Sequence, residues 1–284
     1  MGPSQTDHHA PTESPGKLRM DMPEMSVAEE AARAGGAVVS RYFREGVAMR
    51  NKDVADLVSD ADVEAERAVV EVIRRTYPGH EVLAEEAHAG DAGAEHLWVV
   101  DPLDGTNNFA HKIPQFAVSV AYYRGGVAQC GAVYNPIRDD WHVAVRGRGA
   151  FFNGARTRVS AEASLGEALV GVGFYYDRGA KMEATLAALG DLKRDHQVHG
   201  VRRFGAASLD LCMVALGQLG AYFEFTLSPW DFAAGRLFVE EAGGRVTTCL
   251  GDPLPLAKTS ILATNGLLHD AMLGVVGPRY AGLR

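Results

Sequence analysis

Between Trp98 and Phe109 the chain reads WVVDPLDGTNNF, and its character changes halfway. The run from Leu97 to Val100 is continuously apolar, the pattern of a strand buried on both faces. Asp101 closes it. Pro102 fixes its own φ and holds Asp101 extended. Pro102 also suits the second position of a type I turn, which would bring Asp104 back beside Asp101. Gly105 and Thr106 then open a helical turn with free backbone N–H groups, a terminus that favours an anion. Carboxylates beside such amides repel a phosphate unless divalent cations lie between. Oxygen donors without a Cys or His cluster suit Mg²⁺. Taken alone, the same letters also fit a solvated D-P-x-D-G surface turn.

Outward from this stretch, acids recur where elements end. Glu81–Glu85 reads as a short strand running into Glu85-Glu86, and Asp231 stands at a helix start. Each by itself fits a solvated strand end or a first-turn acid. Val27, Ala31, Ala34 and Val38 predict a helix over about 26–45. A second helix follows Ser59, with Asp62 completing a capping signal and Pro78-Gly79 ending it. FAVSVAYY (116–123) and VAQCGAVYN (127–135), parted by Arg124-Gly125-Gly126, predict a hairpin. From about 165 strands and helices alternate: ALVGVGF, helix 180–190, HQVHGV (196–201), the helix GAASLDLCMVALGQ, GAYFEF, and the helix WDFAAGRLFVEEAGG. The expectation is an antiparallel-rich half over about 25–160 and an alternating α/β half over about 161–284. Residues 1–24 read as a disordered leader with no apolar core of a secretory signal.

Composition narrows the partners. The net charge of -8 over 284 residues argues against a nucleic-acid partner, because polyanion binding needs clustered Lys and Arg. The scattered Cys130, Cys212 and Cys249 form no CxxC pair and read as reduced thiols of a cytoplasmic protein. No apolar run reaches 18 residues, so no membrane span is expected. Arg202 and Arg203 read either as anion attractors at a pocket mouth or as a solvated strand end. Lys52 precedes the DLVSDAD segment and is a further candidate for a metal-site loop.

WVVDPLDGTNNF resembles the first signature of the inositol monophosphatase family, W-x-x-D-P-[IL]-D-G-T-x-N-F. WDFAAGRLFVEEAGG (230–244) resembles the second. LAEE (83–86), DLVSDAD (56–62) and GAYFEF (220–225) resemble three further elements, in family order. Ala84, Asn107 and Ala206 depart from the residues commoner there, and none is a metal ligand. The resemblance implies a layered α+β and α/β fold, the α-β-α-β-α sandwich of sugar phosphatases. It implies that Glu85, Asp101 and the Leu103 carbonyl hold one Mg²⁺, that Asp101, Asp104 and Asp231 hold a second, and that a third, weaker ion lies near Glu85. Gly105 and Thr106 would receive the phosphate on backbone N–H groups. Asp62 and Thr106 would deprotonate the attacking water. Glu224 and Ala207 would line the alcohol pocket, with Asp104 and Asp231 reaching its hydroxyls. Hydrolysis of inositol 1-phosphate without a phosphoenzyme, lithium sensitivity and a homodimer are what the resemblance implies. Histidinol phosphate, fructose 1,6-bisphosphate, NADP and 3′-phosphoadenosine nucleotides are the alternative substrates, and a non-catalytic binding protein is the alternative of another class. A covalent aspartyl phosphatase of the haloacid dehalogenase type needs its two aspartates two apart, in D-x-D-G-T. Here they stand three apart with Pro102 between them.

Overall fold

The computed structural model describes residues 22–53, 56–176 and 178–283. The expected leader lies outside the described residues as far as residue 21, and so does the side chain of Lys52. The first helix, α1 (Pro23–Glu45), starts two residues inside the span expected for that leader, with Pro23 in its first turn. A ribbon of β1 (Met49–Asp53) and β2 (Asp56–Ser59) leads into α2 (Asp60–Thr76). Ser59 and Asp62 form the expected capping box there.

A seven-stranded sheet follows among the described residues. It runs in chain order through β3 (Glu81–Ala84), β4 (His96–Asp104), β5 (Ala117–Arg124), β6 (Val127–Asn135), β7 (Asp140–Val145), β8 (Gly149–Phe152) and β9 (Ala155–Arg156). The short α3 (Thr106–Ala110) sits between β4 and β5. Only β3 and β4 pair in parallel; the rest is an antiparallel meander. A five-stranded sheet comes next, built from β10 (Leu169–Val172), β11 (Gly200–Arg202), β12 (Ala221–Leu227), β13 (Arg245–Thr247) and β14 (Thr259–Thr264). Its order is β11-β10-β12-β14-β13, with β10 parallel to both neighbours and β14 antiparallel to both of its own. Four helices alternate with these strands: α4 (Ala180–Arg194), α5 (Ala207–Ala215), α6 (Pro229–Glu241) and α7 (His269–Ala281).

The layers follow from which faces are apolar. α1 and α2 cover one face of the large sheet, α5 and α6 fill the space between the sheets, and α4 and α7 cover the outer face of the small sheet. Three apolar cores match these three gaps. Along β4, Leu97 and Val99 enter the middle core while Trp98 and Val100 enter the outer one. Burial on both faces is why the run shows no alternation. The small sheet does the same through β12: Ala221, Phe223 and Phe225 face α4 and α7, whereas Tyr222 faces the middle layer. The result is the α-β-α-β-α sandwich.

Two local expectations are corrected. Residues 101–104 do not form a type I turn. The strand continues through Asp104, and three steps on β4, from Asp101 to Asp104, oppose two on β5, from Ser119 to Ala117. This is a β-bulge, which leaves the donor-less Pro102 outside the ladder. It also has a geometric effect. Residues three apart on a regular strand face opposite sides, and one extra residue returns Asp104 to the face of Asp101. The strand expected over 196–201 forms only at Gly200–Arg202, because the preceding residues close the end of α4 instead.

His142 on β7 gives a measurable property of this packing. It is 6% exposed, lies against Phe152 and Phe238, and its Nδ1 has no hydrogen-bond partner. Burial pushes its pKa down to about 4. The unfolded chain therefore binds a proton below about pH 6.5 that the folded chain refuses until about pH 4. Stability contributed by the neutral ring is full above pH 6.5 and is lost as pH falls through that window. His142→Phe should therefore gain on wild type as the pH drops from 6.5 to 4, by up to about 1.4 kcal/mol per pH unit. Urea denaturation across that range measures the difference.

Candidate active site

A cavity of about 490 Å³ opens between the two sheets and is lined by Glu85, Asp101, Asp104, Thr106, Glu224 and Asp231, among others. Six acidic or hydroxyl side chains thus reach one space from five different segments, Asp101 and Asp104 both from β4. Asp101 is 1% exposed, and its Oδ1 accepts the Leu103 N–H at 3.0 Å across the bulge. Burial pushes its carboxyl well above the usual carboxylate range, and the facing Glu85, Asp104 and Asp231 push it further. Asp104 accepts the backbone N–H groups of Ala207 at 3.1 Å and Ser208 at 2.8 Å, together with the Ser208 hydroxyl. It therefore caps α5 from a neighbouring strand. Burial raises its pKa, while the Ser208 and Ala207 donors and Arg203 oppose the rise. Asp231, in the first turn of α6, accepts the Ser228 N–H at 2.7 Å. Its carboxyl is also pushed well up, by burial and then by Glu85 and Asp104.

Thr106 stands at the mouth of α3. Its Oγ1 lies 3.0 Å from the Leu103 carbonyl and 3.3 Å from Asp62 Oδ1. The Leu103 carbonyl is thus engaged by Thr106. Asp62 is fixed in turn by Ser59, whose N–H and hydroxyl both reach Oδ2 at 2.7 Å. Gly105 carries φ +94°, and a Cβ there would meet the Gln115 carbonyl at 2.9 Å, so the turn requires glycine.

On the same lining, Glu224 is 7% exposed and accepts the Tyr222 hydroxyl at 2.7 Å. Burial pushes its pKa up to about 7. Its Oε2 lies so close to Gly173 that a Cβ there would come within 1.7 Å. Ala207 lines the same cavity. Of the two arginines flagged in the sequence, Arg203 lines the cavity, and Arg202 turns its guanidinium to the Val201 carbonyl.

Three residues of the site escaped the sequence reading: Asp210 and Tyr222, which line the cavity, and Ser208, which lies behind Asp104. Asp210 is 1% exposed with Oδ1 unpartnered, and Tyr222 and Ser208 serve Glu224 and Asp104. All three sit inside apolar runs whose periodicity marks them as core. The unused signal was an acid at 210 inside an otherwise apolar helix.

The donor set fits a hard divalent cation. Glu85, Asp101, Asp104 and Asp231 offer only oxygen, and among the described residues no Cys or His lines the cavity. Buried like charges raise one another's pKa unless a cation neutralises them. Among the described residues no three acidic, His or Cys side chains are already gathered in a metal-holding arrangement. The carboxylates ring the space rather than close a cage.

Comparison with known proteins agrees with this fold. The model of the inositol monophosphatase family matches residues 21–277. A Neisseria meningitidis serogroup B protein named "Putative Nus factor SuhB" is 42% identical over 257 residues, 89% of this chain and 98% of that one. An "Inositol-1-monophosphatase" of Synechocystis is 39% identical over 250 residues, 87% of this chain and 86% of that one. Among solved structures, the extragenic suppressor protein suhB of Bartonella henselae superposes with a TM-score of 0.84 at 37% identity, covering 90% of this chain and 98% of that one. An inositol monophosphatase from Anabaena (Nostoc) superposes at 0.79 with 39% identity, covering 90% and 95%. With its layered fold, its ring of carboxylates and a match over nearly its whole described length, this chain belongs to the inositol monophosphatase family.

Proposed function

We propose that the chain is a Mg²⁺-dependent phosphate monoesterase acting on inositol 1-phosphate. The observation that carries this reading is the convergence of buried Asp101 and Asp104 and half-buried Asp231 on one cavity that Glu224 also lines. In this reading Glu85, Asp101 and the Leu103 carbonyl hold one Mg²⁺, and Asp101, Asp104 and Asp231 a second, with a third near Glu85. Bound Mg²⁺ would supply positive charge to the phosphoryl oxygens and acidify water, which suits a reaction that enzymes accelerate by up to about 10²¹-fold.

The chain's own groups complete the reaction. Thr106 Oγ1 takes a proton from the attacking water as it passes its own to Asp62 Oδ1, the acceptor 3.3 Å away. The Gly105 and Thr106 N–H groups receive the phosphate. Glu224, poised near neutrality, can accept from or donate to substrate hydroxyls, and Tyr222 fixes its orientation. Ala207 leaves room for the ring. Attack is in line and forms no phosphoenzyme. Residues 25–160 and 161–284 act as two halves of one catalytic unit, because the ligands come from both. We read the protein as a lithium-sensitive cytoplasmic homodimer; no helix among the described residues is long and apolar enough to cross a membrane.

A second reading has its own support. Relatives 42% and 40% identical bear the name Nus factor SuhB, so the expectation of no nucleic-acid partner draws nothing from them. A transcription-related role beside hydrolysis is tested by adding the purified chain to a transcription assay in vitro.

Two outcomes follow for hydrolysis. Phosphate release should occur from inositol 1-phosphate in Mg²⁺ and disappear in EDTA, in a panel with histidinol phosphate, fructose 1,6-bisphosphate, NADP and 3′-phosphoadenosine 5′-phosphate. Release from another member would move the substrate, and silence across the panel would favour a binding protein. Asp62→Asn should lower kcat by about 10²–10⁴ with KM nearly unchanged, since in this reading Asp62 handles the proton without touching the substrate. Steady-state kinetics at saturating Mg²⁺ measures the split.

A further inference from the structure

One buried carboxylate next to the site has no part in the chemistry above. Glu66 lies on α2, one turn after Asp62, so the two share a helix face. It is 1% exposed. An acid so deeply buried needs its lone pairs filled. Every donor that the structure gives it comes from one short loop. Oε2 accepts the Glu86 N–H at 2.6 Å, and Oε1 accepts the Ala87 N–H at 2.9 Å. His88 Nδ1 lies 2.6 Å from Oε1. A carboxylate can only accept, so His88 Nδ1 carries the proton. Successive backbone N–H groups turned to one anion form a nest.

The loop is closed at its base as well. The Ala84 N–H donates to the His88 carbonyl at 2.7 Å, and Leu83 bridges Ala89. Glu85 is the residue at the tip of this closed loop that faces the cavity. Glu85 directly follows the last residue of β3, Ala84. Its backbone is set by the residues on either side, and those on the far side are bound to Glu66.

We propose that Glu66 is a positioning residue of the hydrolytic site: its buried carboxylate fixes residues 86–88 and thereby aims Glu85 at the cation. The proposal rests on the hydrolase reading above. α2 then serves both halves of the reaction from one face. Asp62 takes the proton through Thr106, and Glu66, four residues on, sets the loop that carries a ligand. Groups that orient metal ligands without touching the metal typically change affinity or activity by about 10–100-fold when removed.

The test is calorimetric titration of the full chain with Mg²⁺, repeated with Mn²⁺, on wild type, Glu66→Gln, Glu85→Gln and the double variant. Gln keeps the volume of Glu but sets an NH₂ against one of the loop's donors. Glu66→Gln should weaken cation binding about 10–100-fold. In the Glu85→Gln background it should add little, because it acts through Glu85. The Mg²⁺ concentration for half-maximal rate should move by the same factor while kcat at saturating Mg²⁺ recovers. A merely structural role would not produce that pattern. Glu66→Gln that melts like wild type in EDTA and binds Mg²⁺ like wild type overturns the proposal, as does an equal loss in both backgrounds. If Glu66→Gln does not fold, His88→Ala, whose side chain is 25% exposed, carries the test. It should weaken binding several-fold, and unchanged affinity overturns the proposal. Wild-type protein that takes up no Mg²⁺ overturns the hydrolase reading itself, an outcome separate from the failure of the variants.

Discussion

Like-charge repulsion among buried carboxylates is the constraint around which this molecule is arranged. Asp101 and Asp231 are pushed well above the usual carboxylate range by burial and by each other's neighbours. A fold does not gather such groups for stability, because an uncompensated buried charge is among the most unfavourable features a core can hold. Perturbed acids that meet in a cleft are the signature of a working site. The layers are what make the gathering possible. The large sheet supplies Asp101 and Asp104, the middle layer supplies Asp231, and the small sheet supplies Glu224 across the gap.

The β4 bulge converts sequence spacing into that geometry. Two aspartates three apart on a regular strand would point into different cores. One would meet α2 and the other α5. The extra residue at Pro102 turns both to the middle layer, where Asp104 caps α5. Proline suits the position because it has no N–H to leave unpaired. The same economy appears in α2, whose capping residue Asp62 also holds Thr106.

Much of this was legible in the residues. The continuous apolar run before Asp101 marked a doubly buried strand. The acids at 85, 101, 104 and 231 stood out because each breaks a regular element. What failed to show depends on tertiary contacts. D-P-x-D is a turn in isolation and a bulge once β5 supplies a pairing partner, so the choice lies outside the local sequence. Glu66 reads as one more acid in a charged helix, because only the fold brings residues 86–88 over it. Asp210 and Tyr222 hide in apolar runs for the same reason. The strand over 196–201 was misplaced because the close of α4 was not visible in its composition.

The central claim is that a divalent cation relieves this repulsion, and thermal unfolding measures that most directly. Without metal, Asp101→Asn should melt above wild type, since it removes one of the opposing charges while keeping an acceptor for the Leu103 N–H. Mg²⁺ should then stabilise wild type, by about 2.7 kcal/mol at a hundred times its Kd, and leave the variant nearly unmoved. A wild-type melting temperature that ignores Mg²⁺, with Asp101→Asn less stable than wild type in EDTA, would contradict the account.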